Sequence, residues 1–341
     1  MAARLLLLLL VVIWFGACTT SNTVTPSFYY WKTSWQTDSG TTRVFRNVGG
    51  QKLYLRLCDV GWNGTAAVPH DVIQLSTPVF PEATLIPVIF LEAAVLRHLK
   101  QPAQIQRLAQ QLSSFTETFC RQQHWTVSEI QIDCDWSAKT AATYFELLRT
   151  LKAQPFVQQK TLSVTLRLHQ VKFRAQSGTP PANRCMLMAY NMGDFRTPNA
   201  GNSILDVATA KDYLQTLDQY PVPLDLAVPI FRWTLWYRQG RFLGILRSVD
   251  PEQLAKQPFL KTTGKANLYT CTQTREWAGY QLQQGDLLKA ESPQPDAVAA
   301  VTAYVARKIS NPFTLAFYHL APENLTRYGP AQLETILQSA R

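Results

Sequence analysis

A run of alternating polar and apolar residues at positions 129–137 constrains the fold of this chain more than any other segment. It reads Glu-Ile-Gln-Ile-Asp-Cys-Asp-Trp-Ser. Successive side chains of a β-strand point to opposite faces, so the acidic and amide groups share one face and the isoleucines share the other. Such a strand is suited to the wall of a barrel whose outer side is covered by helices. The run therefore predicts a barrel strand that carries Asp133 and Asp135 side by side on its polar face.

The remainder of the chain alternates between strand-like and helix-like patterns. Apolar and β-branched runs bounded by turn residues predict strands at 28–36, 52–63, 83–91, 129–137, 162–170, 185–191, 224–233 and 313–319. Apolar residues at helical spacing predict helices at 104–123, 138–152, 208–217, 297–309 and 331–339. Eight strands that mostly alternate with helices predict an α/β fold, a (β/α)8 TIM barrel. A doubly wound open sheet is the alternative, but no glycine fingerprint follows the first predicted strand.

One segment departs from this alternation after the seventh strand. Aromatic residues flank a turn at Gln239 and Gly240, which predicts a hairpin over residues 234–246. Residues 248–290 are less regular, and we expect them to form an insertion in the barrel.

The first residues have the features of an export signal. Met1 and Arg4 bound a short basic region, residues 5–15 are apolar but too few to span a membrane, and small residues precede Cys18. This arrangement resembles a bacterial lipoprotein signal, which implies a signal peptide at 1–17, lipidation of Cys18, for example by palmitate, and a flexible tether at 18–27. The barrel would then span 28–341, anchored in the bacterial cell envelope at the outer membrane. An ordinary signal peptide with an incidental cysteine is the alternative.

Charge and cysteine content narrow the possible partners. The net charge is +10, but lysine and arginine are scattered without a dense basic run, so nucleic acid binding is not expected. The basic excess suits acidic glycans or an anionic membrane surface, or simply keeps the protein soluble. Besides Cys18 there are five cysteines, an odd number without metal-ligand spacing, so neither a complete disulfide framework nor a metal site is predicted. No cofactor is predicted.

Polar and aromatic residues gather where the predicted strands end. In a TIM barrel these ends form the working face. Carboxylates and amides among aromatic rings indicate a sugar ligand, because pyranose rings stack on aromatic side chains while their hydroxyls need polar partners. The predicted substrate-binding residues are Trp35, His169, Gln170, Tyr190, Asn191, Arg232, Trp233 and Tyr318. Trp35 and Trp233 are the expected stacking platforms.

The predicted catalytic residues are three aspartates. Glycoside hydrolysis usually uses two carboxyl groups, about 5 to 10 Å apart. Asp133 and Asp135 fit this requirement on one strand, and Asp59 at the end of the second strand faces them across the mouth. Glu323, on the loop after the eighth strand, is a further candidate acid. The alternative is that these aspartates form ion pairs or hydrogen bonds with Arg167 or Arg56 inside the barrel.

Two short motifs carry a family resemblance. Residues 132–137, Ile-Asp-Cys-Asp-Trp-Ser, resemble the Asp-x-Asp-x-Glu motif on the fourth strand of chitinase-like glycoside hydrolases, and Met-Ala-Tyr-Asn at 188–191 is similar to their Met-x-Tyr-Asp. The resemblance implies a glycoside-hydrolase-like barrel that acts on or binds an oligo- or polysaccharide. Two positions depart from the family pattern: Ser137 stands where the proton-donating glutamate is expected, and Asn191 replaces an aspartate.

Two functions therefore remain open from the sequence. One is a membrane-anchored glycosidase that works through the aspartates, and the other is a glycan-binding or envelope-scaffold lipoprotein without catalysis. Ser137 favours the second function, whereas the cluster of polar strand ends favours the first.

Overall fold

Eight parallel strands close into a barrel. The computed structural model describes residues 23–341, so the predicted signal peptide and Cys18 lie outside the described residues. The barrel strands are β1 (Val24–Tyr30), β2 (Lys52–Trp62), β3 (Thr84–Leu91), β4 (Glu129–Asp133), β5 (Thr161–Arg167), β6 (Arg184–Met188), β7 (Leu224–Pro229) and β8 (Phe313–Tyr318). Each strand pairs with its neighbour in chain order, and β1 pairs with both β2 and β8, which closes the sheet. The predicted (β/α)8 barrel is confirmed.

Helices cover the outer face of the barrel. They are α1 (Ser39–Asn47), α2 (Ala93–His98), α3 (Pro102–Gln122), α4 (Ala141–Lys152), α5 (Pro155–Gln158), α6 (Leu168–Lys172), α7 (Arg174–Ser177), α8 (Val207–Tyr213), α9 (Pro295–Ala306), α10 (Pro322–Leu325) and α11 (Pro330–Gln338). The long helix α3 begins at a proline, which the first turn of a helix tolerates, and it buries Ile105, Leu108 and Leu112 at helical spacing. Within residues 23–341, no helix is long and apolar enough to cross a membrane.

The connection between β2 and β3 contains strands and no helix. Ala67–His70 runs antiparallel to the end of β2, and Gln74–Leu75 pairs with Ser34–Trp35, a short strand that follows β1. The hairpin with β2 extends one side of the barrel mouth beyond the neighbouring strands.

A second sheet lies between β7 and α9. Five antiparallel strands are ordered Arg241–Ile245, Trp233–Arg238, Leu287–Glu291, Leu268–Cys271 and Leu260–Thr262, and a ribbon of Arg275–Trp277 and Tyr280–Leu282 follows separately. The first hairpin turns at Gln239 and Gly240, whose φ angles of 50° and 74° are those that a tight two-residue hairpin turn requires. This insertion sheet has a small core of its own, built around Leu254, Phe259 and Leu288.

The predicted boundaries of several strands are wrong, among them those of β1, β4 and β5. β1 begins at Val24, so the last residues of the predicted tether belong to the barrel, and it ends at Tyr30. β4 ends at Asp133, which places Asp135 and Ser137 on the following loop. β5 ends at Arg167, because the side chain of Gln170 accepts a hydrogen bond from the Arg167 backbone N–H at 2.8 Å and caps α6.

The barrel interior is lined by polar side chains that pair with one another. Gln131 accepts a hydrogen bond from the Tyr29 hydroxyl at 2.5 Å and donates one to Ser163 at 3.2 Å. The Ser163 hydroxyl donates to Glu129 at 2.6 Å, and Lys52 lies 3.5 Å from the same carboxylate. Burial raises the pKa of Glu129, while Lys52 opposes that rise. The predicted polar face of β4 therefore points into the barrel.

A buried ion pair joins β6, β7 and β8 near the base of the barrel. Asp225 is 1% exposed and accepts two hydrogen bonds from Arg184, each 2.7 Å long. It also accepts the Thr314 backbone N–H at 2.6 Å. One carboxylate thus holds three strands together.

We expect Asp225→Ala to lower the free energy of unfolding by about 3–5 kcal/mol, because it leaves the Arg184 guanidinium without its buried partner. Urea unfolding followed by circular dichroism measures the change. Glu146→Gln, which removes an exposed carboxylate 2.8 Å from Arg149, is the control and should leave the unfolding midpoint unchanged. Equal midpoints for Asp225→Ala and the wild type would show that this ion pair is not needed for stability.

Candidate functional site

Asp133 ends β4 in a buried position at the top of the barrel interior. It is 3% exposed, and the Thr165 hydroxyl of β5 donates a hydrogen bond to it at 2.6 Å. Burial raises its pKa to about 6, opposed by Arg167 and by the Thr165 hydrogen bond and reinforced by the negative charges of Asp135 and Asp59. The side chain is thus held between strands rather than open to solvent.

Asp135 forms an ion pair with Arg167 at the mouth of the barrel. The Arg167 Nε and Nη2 atoms lie 2.5 and 3.2 Å from the two carboxylate oxygens, and the Asp135 side chain is 52% exposed. Burial alone would lower the pKa of Arg167, but Asp135 and Asp133 raise it. The two-point contact fixes the orientation of both side chains.

The other acidic candidates are also paired with cations. Asp59, near the end of β2, contacts Arg56 through both carboxylate oxygens, one of them 2.6 Å from Arg56 Nε. Glu323 lies 2.9 Å from Lys32 on the opposite side of the mouth. The structure thus has the ion pairs with Arg167 and Arg56 that the sequence left open as the alternative, and the catalytic roles of the three aspartates stay predictions.

Aromatic rings form a continuous cluster at the mouth. Tyr318, at the end of β8, stacks on Tyr190 at 5.0 Å between ring centroids. It also contacts Trp31 at 5.7 Å and Phe231 at 5.7 Å, at steeper angles. The Arg56 guanidinium lies 5.9 Å from the Trp31 ring centroid. The mouth is therefore aromatic at its centre and charged at its edge.

A cleft of about 360 Å³ opens beside this cluster, between the ends of β4, β5 and β6 and the helix α8. Its lining combines one ion pair, two tyrosines, an amide and apolar side chains: Asp135, Arg167, Leu168, His169, Tyr190, Asn191, Met192 and Tyr213. The Tyr190 hydroxyl is buried in its wall and has no hydrogen-bond partner among residues 23–341. A buried hydroxyl without a partner costs free energy, so a ligand that reached this atom would be stabilised by bonding to it.

His169 and Gln170 were predicted on a strand, and both lie on α6 instead. His169 still lines the cleft and is exposed to solvent on one side. Partial burial of the imidazole ring lowers its pKa. Gln170 is 0% exposed and donates to the Trp136 carbonyl oxygen at 2.9 Å, so its predicted contact with substrate is wrong.

Trp35, Arg232 and Trp233 do not line the cleft either. Trp35 is 0% exposed and packs on Tyr30 and Phe80 outside the barrel wall, so its predicted role as a stacking platform is wrong. Arg232 is held by Asp250 and Glu252, at 2.7 Å each, beside a separate small cavity. Trp233 is partly buried, and its indole N–H donates to Glu291 at 2.9 Å.

Four residues of the cleft, Arg167, Leu168, Met192 and Tyr213, were not among the predicted site residues. Tyr213 reaches the cleft because α8 packs against α6, and Met192 because the loop after β6 turns back on itself. Arg167 has a signal in the sequence, because Ser163, Thr165 and Arg167 alternate with apolar residues and so share the polar face of β5. No comparable signal marked Tyr213.

One group of side chains could offer ligands to a metal ion. Donor atoms of Asp59, His70 and Asp71 lie within 4.8 Å of one another. Arg56 already occupies both oxygens of Asp59 and lies 3.7 Å from Asp71, so its positive charge opposes a cation at this position. The geometry gives no support to a metal site here.

Comparisons with known proteins support the fold. No protein-family model matches the sequence, and no curated protein matches it. The spore cortex-lytic enzyme SleL of Bacillus cereus is similar over 94% of this chain and 75% of its own, with 13% identity and a TM-score of 0.57. A chitinase from Chromobacterium violaceum is similar over 92% of this chain and 99% of its own, with 13% identity and a TM-score of 0.53. A class V chitinase from Nicotiana tobaccum, solved in complex with NAG4, is similar over 94% and 99%, with 12% identity and a TM-score of 0.54. The chain thus has the barrel fold of chitinases.

We expect Asp133 to make stability depend on pH. Because its pKa is raised in the folded protein, its contribution is fully present below about pH 4 and is lost as the pH rises through about 6. The unfolding free energy of the wild type minus that of Asp133→Asn should therefore fall by about 2 kcal/mol between these pH values. Urea unfolding of both proteins at several pH values measures this difference. Glu117→Gln, at an exposed position of α3, is the control, and parallel curves for wild type and Asp133→Asn would refute the assignment.

Proposed function

We propose that this protein binds an oligosaccharide at the mouth of its barrel and does not cleave it. The proposal rests on the burial and the contacts of the three predicted catalytic carboxylates. Asp133 is buried against Thr165, Asp135 is held by Arg167, and Asp59 is held by Arg56. None of the three is both accessible and free of a partner.

Catalysis of glycoside hydrolysis needs a carboxylic acid that can protonate the leaving oxygen. A carboxylate in two-point contact with a guanidinium has both oxygens engaged, so neither oxygen is free to contact the leaving group. Ser137, at the position that the chitinase-like motif gives to the acid, is exposed, and its backbone N–H donates to Thr140 at 3.0 Å. A serine hydroxyl is too weak an acid to replace a glutamic acid.

The cleft has the chemistry that suits a sugar. Tyr190 and Tyr213 supply aromatic surface for the faces of pyranose rings, while Asp135, Arg167 and Asn191 supply charged and amide groups for hydroxyls. The Tyr190 hydroxyl, buried without a partner among residues 23–341, adds one hydrogen-bonding group that a sugar hydroxyl could satisfy. The cleft lies within the usual size range of small-molecule sites, about 300–1,000 Å³. The neighbours solved with NAG4 or (GlcNAc)4 have the same fold, which makes these sugars suitable first probes.

A glycosidase is the second candidate function, and one observation favours it. The pKa of Asp133, raised to about 6, is in the range in which a buried carboxyl can act as an acid near neutral pH. In this case Asp135 would have to leave Arg167 during the reaction. Product formation from oligosaccharides that disappears in Asp135→Asn would establish hydrolysis and exclude the binding-only proposal.

We expect isothermal titration calorimetry to detect binding of (GlcNAc)4 to the wild type, and Tyr190→Phe to weaken that binding about three- to tenfold through the loss of one hydrogen bond. Tyr144→Phe is the matched control, because its hydroxyl is also buried without a partner but its ring packs on Trp136 outside the cleft. Mass spectrometry of the same mixtures should show no shortened sugar. Equal affinities for the Tyr190→Phe and Tyr144→Phe variants would place the ligand elsewhere.

We also propose that the protein acts while anchored to a membrane of the bacterial envelope through lipid on Cys18. The basic and apolar residues before Cys18 support this proposal. A short tether would then keep the barrel close to the membrane surface, because β1 begins at Val24.

We expect an alkyne analogue of palmitate, fed to a bacterial host that makes the full chain, to label the protein and the label to be lost in Cys18→Ala. After cell fractionation, we expect to find that variant in the soluble fraction and the wild type in the membrane fraction, because a short tether without lipid provides no apolar anchor. Cys271→Ala, which alters a buried cysteine, is the control and should keep both the label and the membrane location. Label retained in Cys18→Ala would refute the anchor.

A further inference from the structure

One wall of the cleft is a loop that folds back on itself. Asn191 and Met192 line the cleft immediately after β6. The Asn191 N–H donates to the Ile204 carbonyl at 2.8 Å, and the Met192 N–H donates to the Ser203 carbonyl at 3.1 Å. The positions of the two lining residues therefore depend on where Ser203 and Ile204 are held.

A buried carboxylate of the insertion sheet bonds to Ser203 in that returning end of the loop, next to Asn202, whose side-chain amide donates to the Ser292 carbonyl oxygen at 2.9 Å. Glu291 is 2% exposed and accepts hydrogen bonds from the Ser203 hydroxyl and from the Ser203 N–H, the latter at 3.2 Å. The same oxygen accepts the Trp233 indole N–H at 2.9 Å. Glu291 thus joins the loop to two strands of the insertion sheet.

Lys289 extends the contact along the loop. Its ammonium group lies 2.7 Å from Glu291 Oε1 and donates to the carbonyl oxygens of Ala200 at 2.7 Å and Gly201 at 2.8 Å. Lys289 is itself 6% exposed. A buried ammonium group is stable only if its remaining hydrogen-bonding capacity is satisfied, and here two carbonyl oxygens of the loop bond to Lys289.

We propose that Glu291 is a positioning residue for the cleft: through Ser203 it fixes the loop at 192–205 and so sets the places of Asn191 and Met192 in the ligand-binding wall. The ligand part of this inference rests on the proposed glycan binding, whereas the loop part does not. Glu291 touches no cleft atom and acts only through the loop.

Asp286 provides a matched control within the same sheet. It is 1% exposed, accepts the Trp236 indole N–H at 2.8 Å and pairs with Arg238 at 2.8 Å. It also accepts the Gln283 backbone N–H at 2.9 Å, so these partners all belong to the insertion. Asp286 and Glu291 are alike in burial and in bonding to a tryptophan and a cation, but only Glu291 contacts the loop.

The experiment compares Glu291→Gln with Asp286→Asn by hydrogen–deuterium exchange and by titration with (GlcNAc)4. For Glu291→Gln we expect exchange in peptides covering 192–205 to rise at least about tenfold and the affinity to fall about tenfold, because the loop loses its charged anchor. For Asp286→Asn we expect faster exchange within the insertion only and an affinity within about twofold of the wild type.

The outcomes separate the two proposals. Equal effects of the two variants on loop exchange and affinity, or no effect of Glu291→Gln on the loop, would overturn the positioning role. If the wild type binds no sugar, glycan binding fails, while faster exchange confined to Glu291→Gln still supports the anchoring of the loop. Should Glu291→Gln fail to fold, Ser203→Ala removes the loop's own hydroxyl and is judged by the same measurements.

Discussion

Closure of the sheet between β1 and β8 is the constraint on which the rest of the structure depends. In a closed barrel every second side chain points into an interior without bulk solvent, so each polar group there needs a partner from another strand. Gln131 meets this need by bridging Tyr29 and Ser163, and Asp225 meets it by bonding Arg184. The polar interior thereby specifies which strands are neighbours and in which register.

At the mouth of the barrel, too, charged side chains pair with one another, and this pairing limits the chemistry that the site can perform. Arg56 pairs with Asp59 of the same strand, and Arg167 of β5 pairs with Asp135 on the loop after β4, so both carboxylates are engaged before any ligand arrives. Aromatic rings fill the space that remains, and among the groups of the cleft the Tyr190 hydroxyl is the buried one left without a partner. These contacts favour the proposed binding of a sugar over the transfer of a proton to it.

The insertion sheet is linked to the cleft by a few buried charges. It has its own small apolar core, yet Glu291 and Lys289 direct their polar groups toward the loop after β6. The returning end of this loop buries Ile204 and Leu205 in the apolar core of the barrel, and the charged hydrogen bonds at Ser203 add a polar restraint beside them. This arrangement makes the shape of the cleft depend on residues about a hundred positions away in the sequence.

Alternation of polar and apolar residues was sufficient to predict β4, the polar face of β5 and the barrel, because strand periodicity and burial are local properties of the chain. It could not show that β5 ends at Arg167. The alternation of polar and apolar residues continues past Arg167, but the hydrogen bond from the Arg167 N–H to the Gln170 side chain begins α6 there. Nor could it show that Trp35 is covered by Phe80, or that Arg167 takes Asp135 rather than a ligand. The sequence determined which groups face the barrel interior. Only the tertiary structure decided which of them neutralise one another, because partners are set by strand order and register between distant segments.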